Sequence, residues 1–159
     1  MSPAETSACP VRVAVQAEPF DAAAESDRLS AGRRDIGALV SFVGLCRDEG
    51  GVLSALELEH YPGMAEAEIA RVVETARTRW PLLGLTAIHR FGLIRPGEPI
   101  VLVLTAAAHR GDAFAAAEFL MDFLKTRAPF WKREHRADGS RGAWVAAKSA
   151  DDDAAARWS

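Results

Sequence analysis

The sequence has 159 residues, 49% of them hydrophobic and 26% charged, with 12 Gly, 8 Pro and 2 Cys. A chain of this length buries roughly 70% of the surface it exposes when unfolded, enough for a core without disulfide or metal, and its composition excludes disordered, collagen-like and disulfide-stapled classes. With 19 basic and 22 acidic residues the formal charge is -3, which supplies no field for nucleic acid or an anionic membrane.

In chain order, residues 1–10 read as a flexible N-terminal tail, without the basic opening and apolar core of a signal peptide. Residues 11–159 read as a single domain, since no repeat, linker or composition break divides them. Val11 to Val15 alternates as a half-buried strand does, and Asp21 to Ser30 suits a short helix capped by Asp21. Ile36 to Arg47 is apolar and β-branched; with Val52 to His60 it predicts a β-hairpin whose tip is Asp48-Glu49-Gly50-Gly51. Ile69, Val72, Val73, Ala76 and Trp80 recur at helical spacing up to Pro81.

Leu85 to Ile94 and Ile100 to Ala107 predict two strands joined by the turn Arg95-Pro96-Gly97-Glu98. The second is apolar without alternation, as a central strand covered on both faces would be. Ala113 to Arg127 predicts a helix with a core stripe of Phe114, Ala117, Met121 and Leu124, stopped by Pro129. Trp131 to Glu134 and Arg141 to Ala147 predict a polar hairpin around Asp138-Gly139, and Asp151 to Trp158 a helical turn. Many strands and two long helices predict an α+β fold with a mainly antiparallel sheet. No stretch reaches the roughly 18 consecutive apolar residues of a membrane span, so the expectation is a soluble, cytoplasmic protein.

Two constellations carry chemistry. Ala108-His109-Arg110-Gly111-Asp112 stands where the central strand passes into a helix, and unpaired backbone N–H groups beside an imidazole and a guanidinium suit a phosphate or carboxylate. Helix capping by Asp112 alone is the plainer reading, and both stay open. The other is Lys125-Thr126-Arg127-Ala128-Pro129-Phe130-Trp131-Lys132-Arg133-Glu134. The chain has 16 Arg but only three Lys, at 125, 132 and 148. Lysine, unlike arginine, loses its proton when desolvated, and Phe130 and Trp131 supply apolar walls. Helix-end solvation is the competing reading for these lysines. Arg47 ends a strand and points either to a cleft or to water. His89-Arg90 lies inside a strand, where cross-strand pairing is the default, and His60-Tyr61 reads as structural. Cys46, in an apolar strand, reads as a packed small residue, and the two cysteines form no metal or redox motif.

Leu58-Glu59-His60-Tyr61-Pro62-Gly63-Met64, His89-Arg90 with Gly92, Ala108-His109-Arg110, and above all Leu124 to Glu134 resemble the large, catalytic subunits of molybdopterin synthase, from about Val11 to Trp158. The resemblance implies an α+β fold of α/β-hammerhead type and a sulfurtransferase of molybdenum cofactor biosynthesis. Cyclic pyranopterin monophosphate would become molybdopterin by dithiolene sulfur transfer from the C-terminal Gly-Gly thiocarboxylate of a small ubiquitin-like subunit, within a heterotetramer built on a homodimer. By motif, Lys125 and Lys132 fall on the catalytic lysines, and Arg47, His109, Arg110 and, less closely, Lys148 on the substrate-binding positions. No metal or cofactor is implied. The alternatives are a non-catalytic module that binds a phosphorylated metabolite or a partner's tail, and a Cys46 persulfide carrier.

Overall fold

The computed structural model describes residues 9–48, 50–127, 129–146 and 158. The chain runs β1 (Val11–Gln16), α1 (Ala22–Ser30), β2 (Ala38–Leu45), β3 (Leu53–His60), α2 (Met64–Arg79), β4 (Leu82–Arg90), β5 (Gly92–Ile94), β6 (Pro99–Ala107), α3 (Arg110–Arg127) and β7 (Phe130–Arg136). The fold is mixed α+β: among the described residues, three helices and seven strands in two sheets. No helix of the described residues is long and apolar enough to cross a membrane.

The unbroken apolar run of β6 sets the architecture, because neither of its faces tolerates water. Val101, Val103 and Ala107 join one core with α2 and α3, while Leu102, Leu104 and Ala106 join a second with Leu29 of α1; all are buried. Burial of each Val or Leu contributes about 1.5–3 kcal/mol, so the strand is held at the sheet's interior. The first sheet has the order β1-β4-β6-β2, with β1 parallel to β4 and the other pairs antiparallel. Thr105, the buried polar residue of β6, donates from Oγ1 to the Ala113 carbonyl at 2.7 Å and ties the sheet to the first turn of α3.

The second sheet, β5-β3-β7, is antiparallel. The chain passes from one sheet to the other between β4 and β5, at Phe91 and Gly92, where Gly92 has φ +86°, a backbone region that L side chains resist. Arg90 fixes this corner: its guanidinium donates to the carbonyls of Ala17 and Pro99.

Several expectations hold. Asp21 caps α1 by accepting from the Ala24 N–H at 3.0 Å, and α2 ends at Trp80, before Pro81. The polar hairpin forms too: β7 turns at Asp138, and bridges join His135 to Arg141 and Lys132 to Val145.

Others fail. β2 and β3 are not a hairpin, since β2 pairs with β6 and β3 with β5 and β7. Against β6, β2 packs Val40 on one core and Leu39 on the other, whereas β3 carries Glu57 and Glu59 and offers no such burial. The single strand from Leu85 to Ile94 is two strands in different sheets. Of the stripe on α3 only Phe114 departs, at 62% exposed; Ala117 and Leu124 are buried, Met121 packs on the larger core, and Ala113, Ala116, Phe119 and Leu120 widen the buried face. Small alanines let the helix lie close to the sheet, and this pulls their face inward. Cys9 already packs against the larger core, and Pro10 accepts from the Leu85 N–H. Most of the expected tail, the Asp151 to Trp158 turn and Lys148 lie outside the described residues, except that Trp158 is described: its ring meets Trp80 and Phe119 edge-on.

Candidate active site

Two clefts adjoin where the sheets part. One, of about 620 Å³ including its open mouth, is lined by Lys125 from the last turn of α3, Lys132 and Phe130 from β7, His89 from β4 and hydrocarbon side chains such as Leu58 and Ile100. The other shares His89, Ile100, Leu124 and Lys125 and continues to Phe42 and Leu45 of β2. Phe130 and Lys132 point the same way because residues two apart on a strand share a face. Lys132 is held at backbone level by paired N–H···O bonds with Val145, at 2.9 and 2.8 Å.

Lys125 is exposed, and its ammonium makes no hydrogen bond or ion pair among the described residues. The ring of His89 stacks on Phe130 at 3.9 Å and 17°, with His60 behind Phe130 at 5.8 Å. Burial pushes the His89 imidazole down to about 4; its hydrogen bond to the Arg90 carbonyl opposes that, and the charges of Lys125 and His60 add to it. The imidazole is therefore neutral at pH 7 beside two ammonium groups.

The remaining sequence candidates are spread out. His109 and Arg110 are exposed at the N-terminus of α3. With Lys125 in the last turn, about 22 Å of helix separates the two ends, so one chain cannot bring them to one cleft. Arg47 lies on the exposed loop two residues past Leu45 and lines neither cleft. Lys148 is outside the described residues; in sequence it follows Ala146, which lines the first cleft, by two positions. Cys46 is buried against Leu58 and Ile94, and burial raises its thiol, the opposite of a reactive sulfur. Among the described residues no three His, Cys, Asp or Glu side chains cluster as a metal site would require.

The family described as MoaE protein matches residues 15–127. The chain belongs to the MoaE family. Relatives of this MoaE chain include proteins named molybdopterin synthase catalytic subunit from Mesorhizobium japonicum, 67% identical over 92% of this chain and 92% of the relative, and from Brucella melitensis, 62% identical over 94% and 92%. A MoaE structure from Burkholderia ambifaria superposes with a TM-score of 0.80 at 48% identity, covering 93% of this chain and 97% of that one. A molybdopterin synthase structure from Staphylococcus aureus gives 0.74 at 28% identity, covering 82% and 94%.

Within this MoaE chain, His89 is the cleft residue that sequence reasoning passed over. Its strand context hid it, because the partner that places it, Phe130, comes from the other sheet.

Proposed function

We propose that this chain is the catalytic subunit of a molybdopterin synthase, converting cyclic pyranopterin monophosphate to molybdopterin with sulfur from the C-terminal Gly-Gly thiocarboxylate of a small ubiquitin-like subunit. The observation that carries this reading is the convergence of Lys125 and Lys132, from a helix end and a strand, on one apolar-walled cleft. A phosphorylated pterin needs cations for its phosphate and flat apolar walls for its rings; Phe130, Leu58 and Ile100 supply the walls. The ammonium groups hold the charge of an entering thiocarboxylate, and one of them carries the proton that the reaction moves. The curated relatives bear the catalytic-subunit name, which does not favour a non-catalytic binding module.

Arg47, His109, Arg110 and Lys148 are the substrate-binding group in this reading. His109 and Arg110 reach the cleft from a second copy. β2 is an edge strand of its sheet; Ala38, at its start, pairs with Ala107 just before His109, while Leu45, at its end, lines the second cleft beside Lys125. Two copies joined antiparallel along β2 would set Ala38 of one near Leu45 of the other, and with it the partner's His109 and the partner's Arg110 near Lys125. Phe42 and Leu45, 41% and 57% exposed, give that edge an apolar surface to cover. The assembly is then a homodimer carrying a small subunit on each copy. The two sheets parting at Gly92 support the hammerhead label, and the two free thiols, Cys9 and Cys46, support a cytoplasmic setting.

Lys125→Ala tests the reading. With thiocarboxylated small subunit and cyclic pyranopterin monophosphate, formation of dithiolene product should fall by about 10²–10³, the loss typical of removing one positioned charge-stabilising group. Near-normal turnover by a folded variant would remove Lys125 from the mechanism.

A further inference from the structure

The cleft around Lys125 and Lys132 is unbalanced in its hydrogen-bonding chemistry. Lysine ammonium groups and the Trp131 indole only donate, and of the other side chains lining that cleft all but one are hydrocarbon. The exception is His89. Its Nδ1 lies 2.8 Å from the Arg90 carbonyl oxygen, which only accepts, so Nδ1 carries the proton and Nε2 the lone pair of the neutral ring. Nε2 has no hydrogen-bond partner among the described residues. His89 lines both clefts, and with Nδ1 engaged by the Arg90 carbonyl, Nε2 is the ring nitrogen left to meet a ligand there.

The ring cannot easily turn away, being stacked on Phe130 and anchored at Nδ1. The ionisable groups acting on it are Lys125 from α3 and His60 from β3, with Lys132 from β7 lining the same cleft. Its cross-strand neighbours on β1 and β6 are Val15 and Val101. Arg90, next in sequence, is engaged with Ala17, Pro99 and Glu98.

We propose that His89 is the residue that selects and orients the bound ring: Nε2 accepts an N–H of a flat, nitrogen-rich heterocycle while the lysines take its anionic groups. The inference rests on the pterin reading above and adds the requirement that the ligand bring a ring or amino N–H donor as well as a negative charge. A phosphate without a donor would satisfy the lysines and leave His89 unused.

Two variants and two probes test this. His89→Phe keeps a ring to stack on Phe130 and removes the lone pair; His89→Gln restores an acceptor oxygen. Binding of neopterin monophosphate and of inorganic phosphate is measured for each by calorimetry, with near-ultraviolet circular dichroism confirming the fold. His89→Phe should weaken neopterin monophosphate by about 10- to 100-fold, as expected for a buried bond left unmade, with inorganic phosphate changed less than about twofold, and His89→Gln should recover most of the loss. Unchanged pterin binding in His89→Phe, an equal loss for both probes, or a Gln variant no better than Phe overturns the proposal. In the wild-type chain labelled with ¹⁵N-histidine, the Nε2 resonance should shift on adding neopterin monophosphate and stay in place with inorganic phosphate; no shift at saturation also overturns it. A wild type that binds no pterin phosphate overturns the functional reading together with this one, whereas tight wild-type binding that ignores His89 overturns this one alone.

Discussion

His89 is a neutral imidazole kept in its place by aromatic stacking, and that has a cost that depends on pH. In the unfolded chain the group takes up a proton near pH 6.5, but in the folded chain only near 4. The unfolded state thus binds more protons between these values, so the stability is fully present above about pH 6.5 and is lost as pH falls towards 4. From pH 7.5 to pH 5 the loss due to this one group is about 2 kcal/mol. Urea midpoints of the wild type and of His89→Gln, compared at both pH values, should show the wild type losing more by that amount; equal losses would show that the imidazole is not held neutral. The lysines beside it were legible in the sequence because Lys is rare in this chain and because Lys125 to Glu134 forms a specific motif. His89 was not, since an imidazole inside a strand looks the same whether it faces a cross-strand neighbour or a cleft made by another sheet. The local sequence does place His109 and Lys125 at opposite ends of one predicted helix, but it does not tell that the proposed site would then need a second copy.

At the scale of elements, the entry into β2 is the tightest packing. The Gly37 N–H donates to the Ala107 carbonyl at 3.0 Å, and a Cβ at Gly37 would stand 2.1 Å from the Ala108 carbonyl oxygen. Backbone cannot yield as a side chain does. Gly37→Ala should therefore cost about 1–3 kcal/mol or more, measured by thermal or urea unfolding, and displace the segment that carries His109. Gly111→Ala, where nothing lies within 4 Å of the added Cβ, should be neutral or slightly stabilising because it removes a glycine from a helix. Equal effects would refute the steric account. β6 was readable from its composition, since an uninterrupted apolar run leaves only the sheet centre. The partner of β2 was not: alternation and turn residues report which face of a strand is apolar, and the choice between β3 and β6 was made by cores to which α1 and α3 contribute. The α3 stripe missed only at Phe114, for a related reason: a helix rich in alanine is apolar around much of its surface, and its inward face is set by how closely it can approach the sheet.

For the whole molecule, the proposed shared site would make catalysis a property of the pair of copies. Light scattering should give the mass of a homodimer, and mixing Lys125→Ala with the double variant His109→Ala, Arg110→Ala should restore turnover, since each mixed dimer assembles one intact site out of two. Random exchange would return about a quarter of wild-type activity, provided the dimer is closed and two-fold. No recovery on mixing, with exchange verified by mass, would place all these residues in one chain's site or take His109 and Arg110 out of it. The two adjoining clefts have a further use. Two of the chain's three side-chain amines, those of Lys125 and Lys132, line the larger one. Acylation of the native protein, followed at Lys125 and Lys132 by peptide mass, would thus report on the proposed site, and the slowing of their modification as a ligand is added would measure occupancy without turnover or a fluorescent tag.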